Sequence, residues 1–359
     1  MVNEISQRSA KPVAIWLLIG VGMIIIQILL GGITRLTGSG LSITEWNVVT
    51  GTLPPLNEHQ WLNEFAKYKQ TPQYNLLNFD FTIKDFKFIF FWEWFHRFWA
   101  RLIGVVFLVP FIIFLYQKRF KPFMVKPMLI LFLLGALQGA VGWIMVASGL
   151  TGDAVYVKPT RLALHFLFAL GLLCYTFWFA LSLLVADKDI VRVSRSTRKL
   201  STWIIGILVI QLLFGALMAG HKAATAAPTW PDINGEIIPS YMFRNNIFTD
   251  LLENKITIHF IHRGIAYLLV ILIAILTIKM FKVKGSVIFN KTKWIPLLLV
   301  LLQLLLGIFS VLYSLKIVPN QWGPFEWMAQ LHQLGAMFLL LSFVWLRYIT
   351  RNTRISAIS

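Results

Sequence analysis

Apolar residues in this chain come in long blocks rather than in alternation. Eight runs, near residues 13–31, 94–116, 125–147, 161–185, 201–219, 258–280, 294–313 and 327–347, are each about 20 residues long, enough for a helix to cross the hydrocarbon core of a bilayer. Backbone groups in lipid must be satisfied within their own segment, so the runs are predicted to be helices. The pattern predicts an all-α polytopic membrane protein with eight transmembrane helices. The first run is long, bulky and without a following A-x-A-like site, so it is read as a retained span rather than a cleaved signal peptide.

The few polar residues inside the runs repeat. Helices 1, 3, 5 and 7 each carry Gln-x-x-x-Gly, at Gln27/Gly31, Gln138/Gly142, Gln211/Gly215 and Gln303/Gly307. A Gln and a Gly four residues apart share one helical face; the glycine permits close approach of a neighbour and the amide can bond across to it. Helices 2, 4, 6 and 8 each carry one histidine near the start of the run: His96, His165, His262 and His332. The spacing from His96 to His165 is 69 and from His262 to His332 is 70, so the chain reads as two similar four-helix halves, 1–190 and 191–359, related by an axis along the membrane normal. Shifting Trp92–Arg101 by 166 places His96, Arg97 and Ala100 on His262, Arg263 and Ala266, but Glu93 on His259. The halves thus differ by a carboxylate.

Composition changes this picture little. A chain that is 57% apolar and 13% charged cannot keep a soluble surface. Its net charge of +18 would suit a nucleic-acid binder, but the basic residues have a positional explanation. With the N-terminus inside, the inner segments collect Arg8 and Lys11; Lys118, Arg119, Lys121 and Lys126; Lys188, Arg192, Arg195, Arg198 and Lys199; Lys279, Lys282, Lys284, Lys291 and Lys293; and Arg347, Arg351 and Arg354. The positive-inside rule then predicts an inner (cell) membrane protein with both termini cytoplasmic and the histidines near the outer face. The single cysteine, Cys174, excludes an intrachain disulfide and a thiolate metal cluster. Two long outer loops follow, about 32–92 and 220–257; each is a lid over a site or a connector, and Trp46 and Trp61 in the first are placed at headgroup level.

Four imidazoles at one depth, one per alternate helix, suit metal ligation better than four separate core hydrogen bonds. Two from facing helices fit the two axial positions of a haem in a four-helix bundle, so two pairs imply two haem sites. Zinc or copper is disfavoured because neither pair has an evident third ligand and no thiolate is at hand. His59 and His221 are read as solvated loop residues. Arg97, Arg101 and Arg263 could bind haem propionates, or snorkel, or, for Arg97, pair with Glu93 one turn away. Glu93 is a candidate general base or charge stabiliser in the half that performs chemistry, or a structural partner of Arg97.

Taken together, Gly31-Gly32-Ile33-Thr34-Arg35-Leu36-Thr37 with Ser39-Gly40-Leu41-Ser42, Glu93-x-x-His96-Arg97, Arg161-Leu162-Ala163-Leu164-His165, His262-Arg263 with Ala266-Tyr267, and His332-Gln333 resemble the haem A synthases, in particular their mitochondrial and alphaproteobacterial branch. The resemblance covers nearly the whole chain. It implies a membrane oxidoreductase that converts the C8 methyl of haem O to a formyl group in two successive oxidations, through an alcohol and a geminal diol that loses water, giving haem A for cytochrome oxidase. It implies that His262 and His332 ligate a haem b cofactor, with Arg263 and Arg97 as further haem-binding residues. His96 and His165 would hold the iron of the substrate haem, and Glu93 would be the catalytic carboxylate. Haem O, membrane lipid, a haem O synthase and an electron donor are the implied partners, with a homo-oligomer an open possibility and no nucleic acid. Another branch has a cysteine pair in the first outer loop that this chain lacks, so electrons arrive without thiol chemistry there. The rival readings are a dihaem b-type cytochrome taking electrons from quinol, which does not require Glu93 in one half only, and a haem or lipid transporter.

Overall fold

The computed structural model describes residues 2–46, 50–244, 246–318 and 321–352; Arg354 lies outside them. Eight helices in it are long and apolar enough to span a membrane. We label them α1 (Val2–Leu36), α2 (Ile83–Tyr116), α3 (Pro122–Ala147), α4 (Pro159–Leu184), α5 (Arg195–Gly220), α6 (Lys255–Phe281), α7 (Ile295–Leu312) and α8 (Pro324–Ile349). Among the described residues there is no strand, only an isolated bridge between Ile233 and Glu236. The chain is an all-α, multi-pass membrane protein.

Local chemistry sets most helix starts. Proline occupies the first turn of α3, α4, α7 and α8, where its missing N–H would have had no partner anyway. Ser194 and Asn254 cap α5 and α6 by accepting backbone N–H bonds. The second helix departs most from the sequence reading. It begins at Ile83 rather than near 94, so the stretch 92–101 lies inside the helix and His96 sits more than three turns from its start. Two features cause this: a reciprocal capping box between Thr82 and Asp85 nucleates the extra turns, and Phe86, Ile89, Phe90 and Glu93 form a buried stripe on one face of them. That stripe packs on two short helices, Glu58–Tyr68 and Pro72–Leu77, within the first long loop. Phe86 is fully buried and stacks on Phe65 and Tyr68, with ring centroids 5.0 and 5.3 Å away. Burial pushes the Tyr68 phenol up to about 12, and its hydroxyl bonds Gln73 and Asn78 instead of water. The first helix also begins earlier than expected, because the polar residues before Pro12 are mostly good helix formers that continue it.

Consecutive helices pack as hairpins, α1 on α2, α3 on α4, α5 on α6 and α7 on α8. The hairpins meet mainly through α1, α4, α5 and α8, which close the centre of the molecule, and the last two also through α6 on α7. One large apolar cluster there joins Val21, Ile24 and Ile28 of α1 with Leu170 and Leu173 of α4, Ile204 and Leu208 of α5, Ile273 of α6 and Phe343 of α8. Indoles add directional ties within the first hairpin: Trp16 donates to the Val106 carbonyl at 2.8 Å and Trp99 to that of Met23 at 2.9 Å. Both long loops lie on one face, at which α2, α4, α6 and α8 begin; α1 begins and α8 ends on the other.

Phe86→Ala removes the ring that anchors the α2 extension to the loop helices, and a large-to-small change at a fully buried aromatic costs about 3–5 kcal/mol. The loop helices should come loose first. Limited proteolysis between residues 58 and 78 should accelerate markedly; an unchanged cleavage rate would show that the two helices are held by something else.

Candidate haem-binding site

Each of the four repeat histidines lies against the glycine of the Gln-x-x-x-Gly in the preceding helix, and in the first three hairpins the glutamine meets it too. Around His96, the Gln27 amide nitrogen donates to the His96 backbone carbonyl at 3.2 Å and lies 3.2 and 3.1 Å from ring atoms Nδ1 and Nε2. Gly31 lies so close that a Cβ there would sit 3.2 Å from His96 Cε1. The second hairpin repeats this: Gln138 donates to the His165 carbonyl at 3.2 Å, and a Cβ on Gly142 would meet His165 Cε1 at 2.8 Å. In the third, Gln211 is 3.4 Å from His262 Nε2, and Gly215 faces the His262 ring. In the fourth, Gly307 faces His332, with a hypothetical Cβ 3.1 Å from Cε1. Four Gly and three of the four Gln therefore form seats that fix the imidazoles, while the Gln303 amide turns toward Gly335; larger residues at the glycines would push the rings away.

His262 and His332 face each other with ring centroids 6.3 Å apart and planes at 78°. A metal about 2 Å from each nitrogen, with each nitrogen about 1.1 Å from its ring centre, gives a collinear pair a span of about 6 Å. The Nδ1 atoms of both rings are buried without a hydrogen-bond partner, as is the Gln303 amide nitrogen. Unpaired buried polar atoms are costly and so mark a group that completes them. Among the described residues no cluster of three or more His, Cys, Asp or Glu is arranged to hold a bare metal ion. Two imidazoles alone suit a metal that brings its own in-plane ligands. His96 and His165 are close enough to influence one another electrostatically.

The charged residues flanking the histidines have partners that the sequence did not reveal. Glu93, 3% exposed, accepts from the Ser42 backbone N–H at 2.7 Å, the Ser42 hydroxyl at 2.7 Å and the Ile43 N–H at 2.9 Å, all on Oε2. Its Oε1 pairs with Arg97 at 2.6 Å. Arg97 also donates to the carbonyls of Ile43 and Glu45, both at 3.2 Å, and lies over the Trp46 ring. On α6 the same two positions are used again. His259, wholly buried, donates from Nε2 to the Ala223 carbonyl at 2.7 Å. Arg263 donates to the carbonyls of Ala227, Thr229 and Asp232 at 2.9, 3.0 and 2.8 Å. The propionate-binding expectation for Arg97 and Arg263 therefore meets guanidiniums already engaged by loop carbonyls. Of the loop histidines, His221 caps α5 and donates to the Leu252 carbonyl at 2.7 Å.

Three residues at the seam were given no role from sequence, although Arg35 and Gln333 stand in motifs quoted above. Gln330 and Gln333 of α8 donate to the Leu29 and Ile28 carbonyls of α1 at 3.2 and 2.9 Å, with Gly32 directly beneath both amides. Arg35 of α1 donates to the Ala219 carbonyl of α5 at 3.5 Å, facing Glu326 of α8. The available signal was Gly31-Gly32: one glycine serves the His96 seat and its neighbour admits α8.

Comparison with known proteins gives the family. The family model COX15-CtaA, described as cytochrome oxidase assembly protein, matches residues 14–344. The chain belongs to the haem A synthase family. It is 39% identical over 341 residues to the Heme A synthase of Flavobacterium johnsoniae, covering 93% of this chain and 96% of that protein. It is 38% identical to those of Rhodospirillum centenum (96% and 91% covered) and Cereibacter sphaeroides (97% and 90% covered). Family membership makes the chain an enzyme of haem A biosynthesis and sets the dihaem electron-transfer cytochrome aside.

Gly142→Ala and Gly31→Ala grade the seats. The closer contact at Gly142 predicts the larger loss, about 1–3 kcal/mol for a methyl forced into a packed site, and a smaller one at Gly31. Thermal unfolding in detergent measures both; equal losses would mean that ring contact is not what the glycines provide.

Proposed function

We propose that the chain oxidises the C8 methyl of haem O to a formyl group in two successive steps, with residues 191–359 holding a haem b cofactor and residues 1–190 the substrate. The observation that carries the reading is the fourfold histidine seat together with the 6.3 Å pairing of His262 and His332. In this reading His262 and His332 would hold the iron of haem b, and His96 and His165 would hold that of the substrate haem. When bound, the haem iron supplies the redox chemistry and the protein supplies position, charge and exclusion of water.

The chain's own part in that reading can be followed residue by residue. Gln27 and Gln138 anchor the turns that carry His96 and His165, which fixes where those imidazoles point. Gly31 and Gly142 allow the rings to lie against α1 and α3. The apolar walls of the hairpins suit a flat macrocycle with a prenyl tail, and exclude water from the reacting methyl. Glu93 is the charge present near the first pair and absent near the second; the family resemblance makes it the catalytic carboxylate, and its hydrogen bonds bear on how it acts. The packing of α8 on α1 through Gln330 and Gln333 places a residue adjacent to His332 against the helix that seats His96, a short route between the two pairs. Placement in the inner membrane with cytoplasmic termini rests on the basic residues of the segments opposite the loop face. A haem O synthase as supplier, and an electron donor, complete the scheme.

Protein purified in mild detergent from cells making haem O should release, on acid-acetone extraction, haem b together with haem O, its hydroxylated form or haem A. Haem b alone, with haem O plentiful, would sink the assignment. His262→Ala and His332→Ala should each lose the haem b absorption while His96→Ala keeps it; retention of the spectrum in the first two would move the cofactor elsewhere.

A further inference from the structure

Glu93 is expected by resemblance to act on the substrate itself, yet its carboxylate is occupied. Three bonds of 2.7–2.9 Å from Ser42 and Ile43 fill the lone pairs of Glu93 Oε2, and a 2.6 Å bond from Arg97 takes one of the two sites on Oε1. A proton acceptor needs a lone pair directed at the proton it takes. What Glu93 holds is a strap. Residues 38–46 leave the end of α1 and cross the loop-face end of the first two hairpins. Leu41, 2% exposed, wedges against Gly149 at the turn between α3 and α4, where a Cβ on that glycine would lie 2.7 Å from the leucine. Ser42 and Ile43 then dock on Glu93, and Arg97 grips the carbonyls of Ile43 and Glu45. Gln73 from the loop helices donates to Gly38 and Val155 and holds the strap's other edge. The strap thus touches α1, α2 and the α3–α4 turn and lies across the end of the helices that seat His96 and His165.

The second half gives an independent reason. His259 and Arg263 occupy the positions of Glu93 and Arg97, one turn apart on α6, and they bond loop residues Ala223, Ala227, Thr229 and Asp232. The chemistry is inverted, since a carboxylate accepts from backbone N–H groups and an imidazole donates to a backbone carbonyl, but the task is the same. Two unlike side chains at one position, both fastening the loop above their histidine, tie the position to fastening.

We propose that Glu93 is a positioning residue: through Ser42 and Ile43 it latches the 38–46 strap shut over the substrate histidines His96 and His165, and it serves the oxidation by enclosing the site rather than by taking a proton. The proposal rests on the reading of that pair as the substrate site. Charge-assisted bonds to backbone N–H groups are the strong kind, so the latch is strongest while the carboxylate is ionised and Arg97 is beside it.

The test compares Glu93→Ala, Ser42→Ala and the double variant with the parent chain in detergent, by amide hydrogen exchange and by conversion of added haem O. Glu93→Ala should speed exchange at Ser42 and Ile43 by tenfold or more. Ser42→Ala, with the carboxylate intact, should raise KM for haem O about tenfold while kcat falls less, and it should add almost nothing in the Glu93→Ala background, because contacting residues couple. Unchanged amide exchange in Glu93→Ala would overturn the latch. So would Ser42→Ala and Glu93→Ala effects that multiply. Should Glu93→Ala fail to fold, Ser42→Ala alone decides through its KM against kcat. Exchange needs no substrate, so a parent chain that does not convert haem O would refute the proposed function while the exchange arm still reads the strap.

Discussion

Placing an imidazole inside an apolar helix bundle requires that each of its polar edges meet a partner, because water is not there to serve. The rest of the architecture follows from that constraint. Four times the chain answers it with a glycine that lets the ring lie against the neighbouring helix, and in the first two hairpins a glutamine also binds the histidine's own turn. The glutamine contributes orientation more than stability, since hydrogen bonds between membrane helices average well under 1–2 kcal/mol. Its distances to the ring nitrogens, 3.1–3.4 Å, leave those nitrogens available to a stronger partner such as a metal.

The two halves share this seat and differ in how they are closed and joined. Both long loops are fastened from the same pair of positions, by Glu93 and Arg97 in one case and by His259 and Arg263 in the other. Where the halves meet, symmetry lapses. On one side Gly220 lies against Pro159, and on the other the corresponding contact is Arg35 facing Glu326. Opposite charges facing each other across a largely apolar seam are a weak source of stability and a good source of register. Here it sits next to Gln330 and Gln333, which align α8 with α1.

Much of this was readable before any coordinates. The eight spans follow from length and hydropathy, and the Gln-Gly and His spacings mark which faces meet, because membrane helices rarely carry polar residues without a purpose. The start of α2 was misread because residues 83–93 are apolar and aromatic like a span but serve to bury loop helices that composition alone describes as turns. The roles of Glu93, Arg97, His259 and Arg263 were out of reach for a different reason. Each binds backbone atoms of a distant loop, and a backbone carbonyl or N–H leaves no trace in residue identity. A charge beside a histidine reads as chemistry, while its bond to Ser42 or Ala223 is visible only once the chain is folded. The same holds for Arg35, whose neighbours come from α5 and α8.

One property of the seats reaches back to the way the protein is made. Each of the four repeat histidines is seated by the helix immediately before it in the chain, Gln27 and Gly31 with His96, Gln138 and Gly142 with His165, Gln211 and Gly215 with His262, and Gly307 with His332. A hairpin emerging from the insertion machinery therefore carries all it needs to orient its own imidazole, before any later helix is synthesised. The helices α1, α4, α5 and α8 then have only to bring finished hairpins together. Ligand geometry is written locally, and assembly of the bundle becomes a matter of bringing imidazoles that already point the right way within reach of one another.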